Sequence, residues 1–157
     1  MDRLIYLSKG KVTVVDEDDY EELSKHKWYC NQAGYACRNL PSINKHGKTS
    51  MYMHVQILGK VDGMQSDHIN RDKLDNRKSN LRIVMPCQNQ WNKGPRKGTS
   101  KYKGVSWHSR EKKWRAKITV NKKEIVIGDF KNEKEAAKAY DEKSKELFGD
   151  FAYLNGE

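Results

Sequence analysis

The chain has 157 residues, 33% charged and 36% hydrophobic, with a formal net charge of +10. That length suits one ordinary domain or two small ones with modest cores, and no stretch approaches the roughly 18–20 apolar residues needed to span a bilayer. Residues 1–15 carry neither an apolar run of signal-peptide length nor a small-residue cleavage site, so the chain reads as soluble and cytoplasmic.

Residues 4–7 and 11–15 read as short strands around a Ser-Lys-Gly turn, and residues 16–25 as a short helix with an acidic first turn that suits the helix dipole. Residues 27–30 and 35–38 look like a hairpin, 41–48 like a polar loop, and 49–58 return to apolar character. A strand is expected over 64–69, an Asx-rich loop over 70–79, a second strand over 81–85 and a short helix starting at Pro86. The loop composition suits turns rather than a buried element, although Asp72, Asp75 and Asn76 carry ligand-type side chains.

A Gly/Pro/Ser/Lys stretch, 93–101, reads as a linker. Beyond it come three strand-like runs, 103–108, 113–120 and 123–130, with a short turn near Asn121 and Lys122. A helix follows from Asn132 as N-cap to Phe148, stopped by Gly149, with Ala136, Ala139, Tyr140 and Leu147 at helical spacing to cover the sheet. In the strand 113–120, Trp114, Ala116, Ile118 and Val120 alternate with Arg115, Lys117 and Thr119, so one face is apolar and the other polar. Trp107 and Trp114 are expected to pack in the core. The fold class is α+β, divided as 1–92, 93–101 and 102–157.

Charge is not spread evenly. Residues 93–127 hold 12 Lys and Arg against 2 Asp and Glu, whereas 1–92 hold 14 against 11 and 128–157 hold 5 against 8. A block of that density is a footprint for phosphate. A merely solvated basic face is the alternative, but Tyr102, Trp107 and Trp114 interleave with the cations and favour nucleic acid. Cys30, Cys37 and Cys87 show no C-x-x-C spacing, which argues against a disulfide framework and a structural zinc site. His26 and His46 lack a partner pattern and read as surface residues.

The segment from about 62 to 92 carries the chemistry. Asp67 and His68 are adjacent, Asn80 follows twelve residues after His68, and Asn89 nine after that. Hydrolysis of a phosphodiester needs an activated water and neutralisation of developing charge. An imidazole with a pKa near 6.5 takes a proton at neutral pH, and a hard divalent cation accepts carboxylate and amide oxygens.

With its D-H pair, the D-N-R-x-x-N-L run (DNRKSNL) and the later asparagine, this segment resembles the HNH endonucleases, in particular the homing branch with Asn in the last motif position. The resemblance implies a ββα-metal site in which Asp67 and Asn89 are metal ligands, His68 is the general base and Asn80 orders the loop. One divalent ion is implied, Mg²⁺ foremost and Mn²⁺ as the alternative. Met53–His54 resembles the "HR" pair that often precedes the motif, with Val55 where arginine is usual; His54 is therefore a site-edge candidate.

Residues 101–155 are similar to an AP2 domain in YKGV, the Lys-Trp before the second strand, IGDF, EAAKAYD and the closing Leu-Asn. The resemblance implies three antiparallel strands backed by one helix, with the open sheet face in the major groove. Candidate DNA contacts are Lys103, Ser106, His108, Arg110, Arg115, Lys117 and Thr119. Plant members place guanine-reading arginines where this chain has Ser106 and Thr119, so their GC-rich preference does not transfer. The function expected is that of a site-specific, homing-type DNA endonuclease acting on double-stranded DNA as a monomer or weak dimer, with no membrane partner and no small-molecule cofactor. The alternatives are a DNA-binding regulator whose HNH segment is only a scaffold, and a nuclease with little sequence preference.

Overall fold

A computed structural model describes residues 1–41 and 49–156. The polar loop expected at 41–48, and His46 within it, fall almost wholly outside the described residues. The chain divides into two compact units, Met1–Asn89 and Gln90–Glu157. The elements are small antiparallel sheets and short helices, an α+β fold.

In the first unit, β1 (Asp2–Tyr6) pairs antiparallel with β2 (Val12–Asp16). Asp16, in extended conformation, leads into α1 (Glu17–Ser24), whose first turn carries Glu17, Asp18 and Asp19 against the positive end of the helix dipole. A second sheet joins β3 (Tyr29–Cys30), β4 (Ala36–Asn39) and β5 (Ser50–Tyr52), and α2 (Met53–Leu58) follows β5 directly. Ile5, Leu7, Val15, Leu23, Trp28, Ala36 and Met53 make one buried cluster from these elements. The third piece is β6 (Gln65–His68), β7 (Leu81–Val84) and α3 (Pro86–Asn92), the strand–loop–strand–helix order expected from the motif.

The loop between β6 and β7 departs from expectation. Asp75 and Asn76 are buried, Asn76 completely. The cause is a long-range contact: residues 74–76 run alongside β2 as a parallel bridge, with Val14 N–H donating to Leu74 O at 2.9 Å and Asn76 N–H to Val14 O at 2.8 Å. The Asx residues do form turns, since Asp72 Oδ1 accepts from Leu74 N–H at 2.9 Å. The side chains of the buried Asp75 and Asn76 find partners within the protein, Asp75 in Asn70 and Arg77 and Asn76 in Thr13.

The second unit contains β8 (Val105–His108), β9 (Lys113–Val120), β10 (Lys123–Phe130) and α4 (Glu133–Phe148), with strand order β10-β9-β8. Asn121 and Lys122 both take positive φ, 50° and 64°, as a two-residue turn matched to strand twist demands. Asn132 caps α4 by accepting from Lys134 N–H at 2.8 Å. The buried face of α4 is Ala136, Ala137, Tyr140, Ser144 and Phe148. Leu147, expected to cover the sheet, remains exposed, and Ala139 is only half-buried. The bulkier Phe148 fills the C-terminal end instead, stacked on Trp91 with ring centroids 4.3 Å apart. Among the described residues, no helix is long and apolar enough to cross a membrane.

Candidate active site and nucleic-acid interface

Asp67 and His68 end β6 and are 7% and 5% exposed. The register places Asp67 opposite Arg82 and His68 opposite Leu81. Arg82 donates to Asp67 Oδ2 from Nε at 3.0 Å and Nη2 at 2.8 Å, a nearly buried ion pair absent from the list of candidates drawn from sequence. The hairpin register is what would have suggested it.

His68 is held by a chain of side chains that starts on β2. Thr13 Oγ1 donates to Leu74 O at 2.6 Å and accepts from Asn76 Nδ2 at 2.8 Å, so the carbonyl oxygen of the Asn76 amide must face the imidazole. That oxygen lies 3.3 Å from His68 Nε2. Nε2 is therefore the protonated nitrogen of the neutral ring and Nδ1 the basic one. Burial pushes the His68 pKa below its ordinary value, opposed by the Asn76 hydrogen bond and by Asp67, Asp72 and Asp75. A ring kept neutral at pH 7 is ready to accept a proton.

Asn80 stands just before β7 and closes the loop from both ends of its amide. Oδ1 accepts from Asn70 N–H at 2.9 Å and Nδ2 donates to Asp75 O at 2.8 Å. Asp75 is fixed in turn by Arg77, with Nη2 at 2.6 Å and Nε at 2.7 Å, and by Asn70 Nδ2 at 2.9 Å. Asn89, on α3, donates from Nδ2 to Gln65 Oε1 at 2.8 Å, so its carbonyl oxygen is the other end of the amide. Asp67 and Asn89 thus offer hard oxygen donors, the chemistry that Mg²⁺ accepts while keeping several waters. Among the described residues, no three His, Cys, Asp or Glu side chains converge on one point.

Beside this centre is a cavity of about 560 Å³ whose lining includes Tyr35, Tyr52, His54, Met64, Ser66 and Asn89. His54, the site-edge candidate, is 7% exposed and its ring centroid is 4.9 Å from that of His68, edge to face. Its Nδ1 is buried without a hydrogen-bond partner among the described residues, and burial followed by repulsion from His68 lowers its pKa to about 4. The consequence for stability has a definite sign. The unfolded ring takes a proton near pH 6.5 but the folded ring only near 4, so stability is full above 6.5 and falls between 6.5 and 4, by about 3 kcal/mol. We expect His54→Phe to flatten that part of the acid limb in thermal melts at stepped pH, with His68 supplying what slope remains. A limb unchanged in His54→Phe would show that His54 does not contribute to it.

In the second unit, Val105, Trp114, Ala116, Ile118 and Phe130 face α4, and the opposite sheet face is open. That face carries Ser106 and His108 from β8, Arg115, Lys117 and Thr119 from β9, and Glu124, Val126 and Asp129 from β10. Arg115 is bidentate to Asp129, Nε–Oδ1 at 2.8 Å and Nη2–Oδ2 at 2.7 Å, and Lys117 Nζ lies 2.9 Å from Glu124 Oε2. Arg110 is exposed in the turn between β8 and β9. Lys103 is placed differently from the other candidates, because its ammonium donates to Trp91 O at 2.6 Å and Gln90 O at 3.3 Å. Trp114 packs in the core as expected, but Trp107, edge-on to it at 5.1 Å, stays 41% exposed.

Over 99% of its length the chain is 33% identical to a protein described as an uncharacterized HNH endonuclease of Acanthamoeba polyphaga mimivirus, covering 83% of that protein. The chain belongs to the HNH endonuclease family. Residues 100–149 match the AP2 domain family model, so the sheet of β8–β10 and α4 is an AP2 domain appended to the HNH unit. Protein 3.8 of Escherichia phage T7 is 34% identical over 77 residues, 45% of this chain and 64% of its own length.

Proposed function

We propose that this HNH protein is a homing-type, site-specific DNA endonuclease that hydrolyses one phosphodiester per site with His68 as general base and one divalent ion, Mg²⁺ foremost and Mn²⁺ as alternative. The observation that supports the reading is the Thr13–Asn76–His68 chain, which makes Nε2 the donor to Asn76 and Nδ1 the lone-pair nitrogen to which we assign the base role. Water attacks phosphorus while its proton passes to Nδ1, and the P–O bond opposite the incoming oxygen breaks, the departing oxygen keeping the electron pair and taking a proton from solvent. Asp67 and Asn89 would hold the ion, which when bound neutralises charge on the phosphorane and the leaving oxygen. Arg82 holds the Asp67 carboxylate through Oδ2, and Asn80 keeps the loop closed around His68.

Double-stranded DNA is the partner, bound through the open face of the AP2 sheet and through the basic linker 93–101, which follows the phosphate backbone. Division of labour between a cutting part (1–92) and a reading part (102–157) accounts for the charge map, since the excess of positive charge is concentrated in 93–127. One such centre cuts one strand, so the monomer nicks, and a double-strand break needs two copies or two events. Both relatives are viral, which supports a phage- or virus-encoded enzyme working in the infected cell's cytoplasm.

The test is conversion of supercoiled plasmid to open circle, using a plasmid library of phage and bacterial DNA. Nicking is expected with Mg²⁺ or Mn²⁺ and none with EDTA. Specific DNA binding with no cleavage in any divalent metal would instead identify a regulator built on an inactive HNH scaffold.

A further inference from the structure

The open face of the AP2 sheet is not the uniformly cationic surface that its composition suggests. Lys117 is matched by Glu124 and Arg115 by Asp129, so the face's own charge is largely cancelled. These pairs differ in what they leave available. A lysine ammonium beside one carboxylate oxygen can still swing. The Arg115 guanidinium cannot: Asp129 grips it side-on through Nε and Nη2, and both residues are about three-quarters buried. The grip fixes the plane of the fork and leaves its end-on edge, the outer N–H groups of Nη1 and Nη2, uncommitted among the described residues.

Arg115 also sits at the centre of a row across the sheet, between Ser106 on β8 and Asp129 on β10. Two parallel N–H groups held at a fixed angle match the paired acceptors O6 and N7 that guanine, alone among the bases, presents in the major groove. We infer that Arg115, aimed by Asp129, reads one guanine in the target site and is a specificity-determining residue of this AP2 domain. The inference rests on the open sheet face being the DNA-binding face. It puts the guanine contact at a position other than Ser106 and Thr119, where the plant pattern has its arginines.

A competing role for the pair is simple cross-strand stabilisation of β9 and β10, and salt dependence separates the two. A phosphate-holding cation releases counterions, and its removal flattens the plot of affinity against salt by about one unit. A guanidinium on a base edge holds no phosphate, so removal of Arg115 should change that slope by less than one unit while erasing one base preference.

The experiment selects from a pool of duplexes with a randomised 20-base-pair core, using the full chain carrying His68→Ala to prevent cleavage. The parent is expected to enrich a motif containing a guanine that disappears from the motif of Arg115→Ala, the other positions being retained. On the parent's best duplex, Arg115→Ala should lose roughly 5- to 150-fold in affinity with a salt slope changed by less than one unit. Arg115→Lys keeps charge and bulk but not the fork, and should lose the same guanine; it also guards against a fold effect of the alanine. Asp129→Asn should weaken the preference without abolishing it. A motif that stays the same at every position in both Arg115 variants overturns the inference while leaving the AP2 reading intact. If the parent enriches no motif, the site-specific reading itself fails, and this inference with it.

Discussion

His68→Ala is expected to lower the rate of plasmid nicking by about 10²–10⁴-fold while leaving DNA affinity unchanged, because a general base contributes in that range and this one lies outside the sheet assigned to binding. The loss should be in kcat, since the proton moves only in the transition state. Added imidazole should restore part of the rate if the vacated space is the base site, which a misfolded variant would not allow. The ring is 5% exposed, so stability must be measured alongside. Loss of the buried ring and of its contact with Asn76 carries its own cost to the fold, which the stability measurement separates from the cost to chemistry. Nicking within about threefold of wild type would show that His68 is not the base.

Gly104→Ala should be the most damaging single change in the AP2 unit. Gly104 has φ of +73°, and an added Cβ would run into the ring of Tyr140 and stand 2.7 Å from Lys117 O. Neither neighbour can give way: Tyr140 is 2% exposed, and Lys117 N–H is bonded to Gly104 O at 2.8 Å. Left-handed backbone costs a residue with a side chain roughly 1–2 kcal/mol, and overpacking adds about 1–3 kcal/mol. A unit of this size has a total stability of only several kcal/mol, so the variant should be largely unfolded at 37 °C. Near-ultraviolet circular dichroism of Trp91, Trp107 and Trp114, with DNA affinity as the second readout, would register it. A wild-type melting curve would refute the argument.

The strand–loop–strand–helix frame that carries the four candidate residues was readable because Asp67 to Asn89 is a short stretch, on elements whose order is set by local signals. The supports of His68 were not readable in that way. Thr13 and Asn76 are 63 residues apart, and only the seating of the loop beside β2 brings them together. The same seating buries Asp75 and Asn76, although composition alone placed them in a solvent-exposed turn. Arg82 needed the β6–β7 register, and the Arg115–Asp129 pair needed the β9–β10 register, which shifts at the bulge between Val126 and Gly128. The strand alternation that separated Arg115, Lys117 and Thr119 from the core was legible because period two survives any register. The choice between Leu147 and Phe148 on α4 was not, because both lie near the edge of the apolar stripe and the larger ring takes the space.

The bridge between β2 and the loop also bears on where the catalytic module begins. The motif occupies about 62–92, but the side chain that fixes the amide gripping its histidine is supplied by Thr13, and Asp2 and Asp16 clamp the same loop through Arg77 Nη1 at 2.8 Å and Lys78 N–H at 2.7 Å. A graft of the motif alone onto another DNA-binding protein would carry the reacting groups and leave their scaffold behind. On the proposed assignment, the unit that keeps these contacts together is Met1–Asn89, with the N-terminal hairpin included.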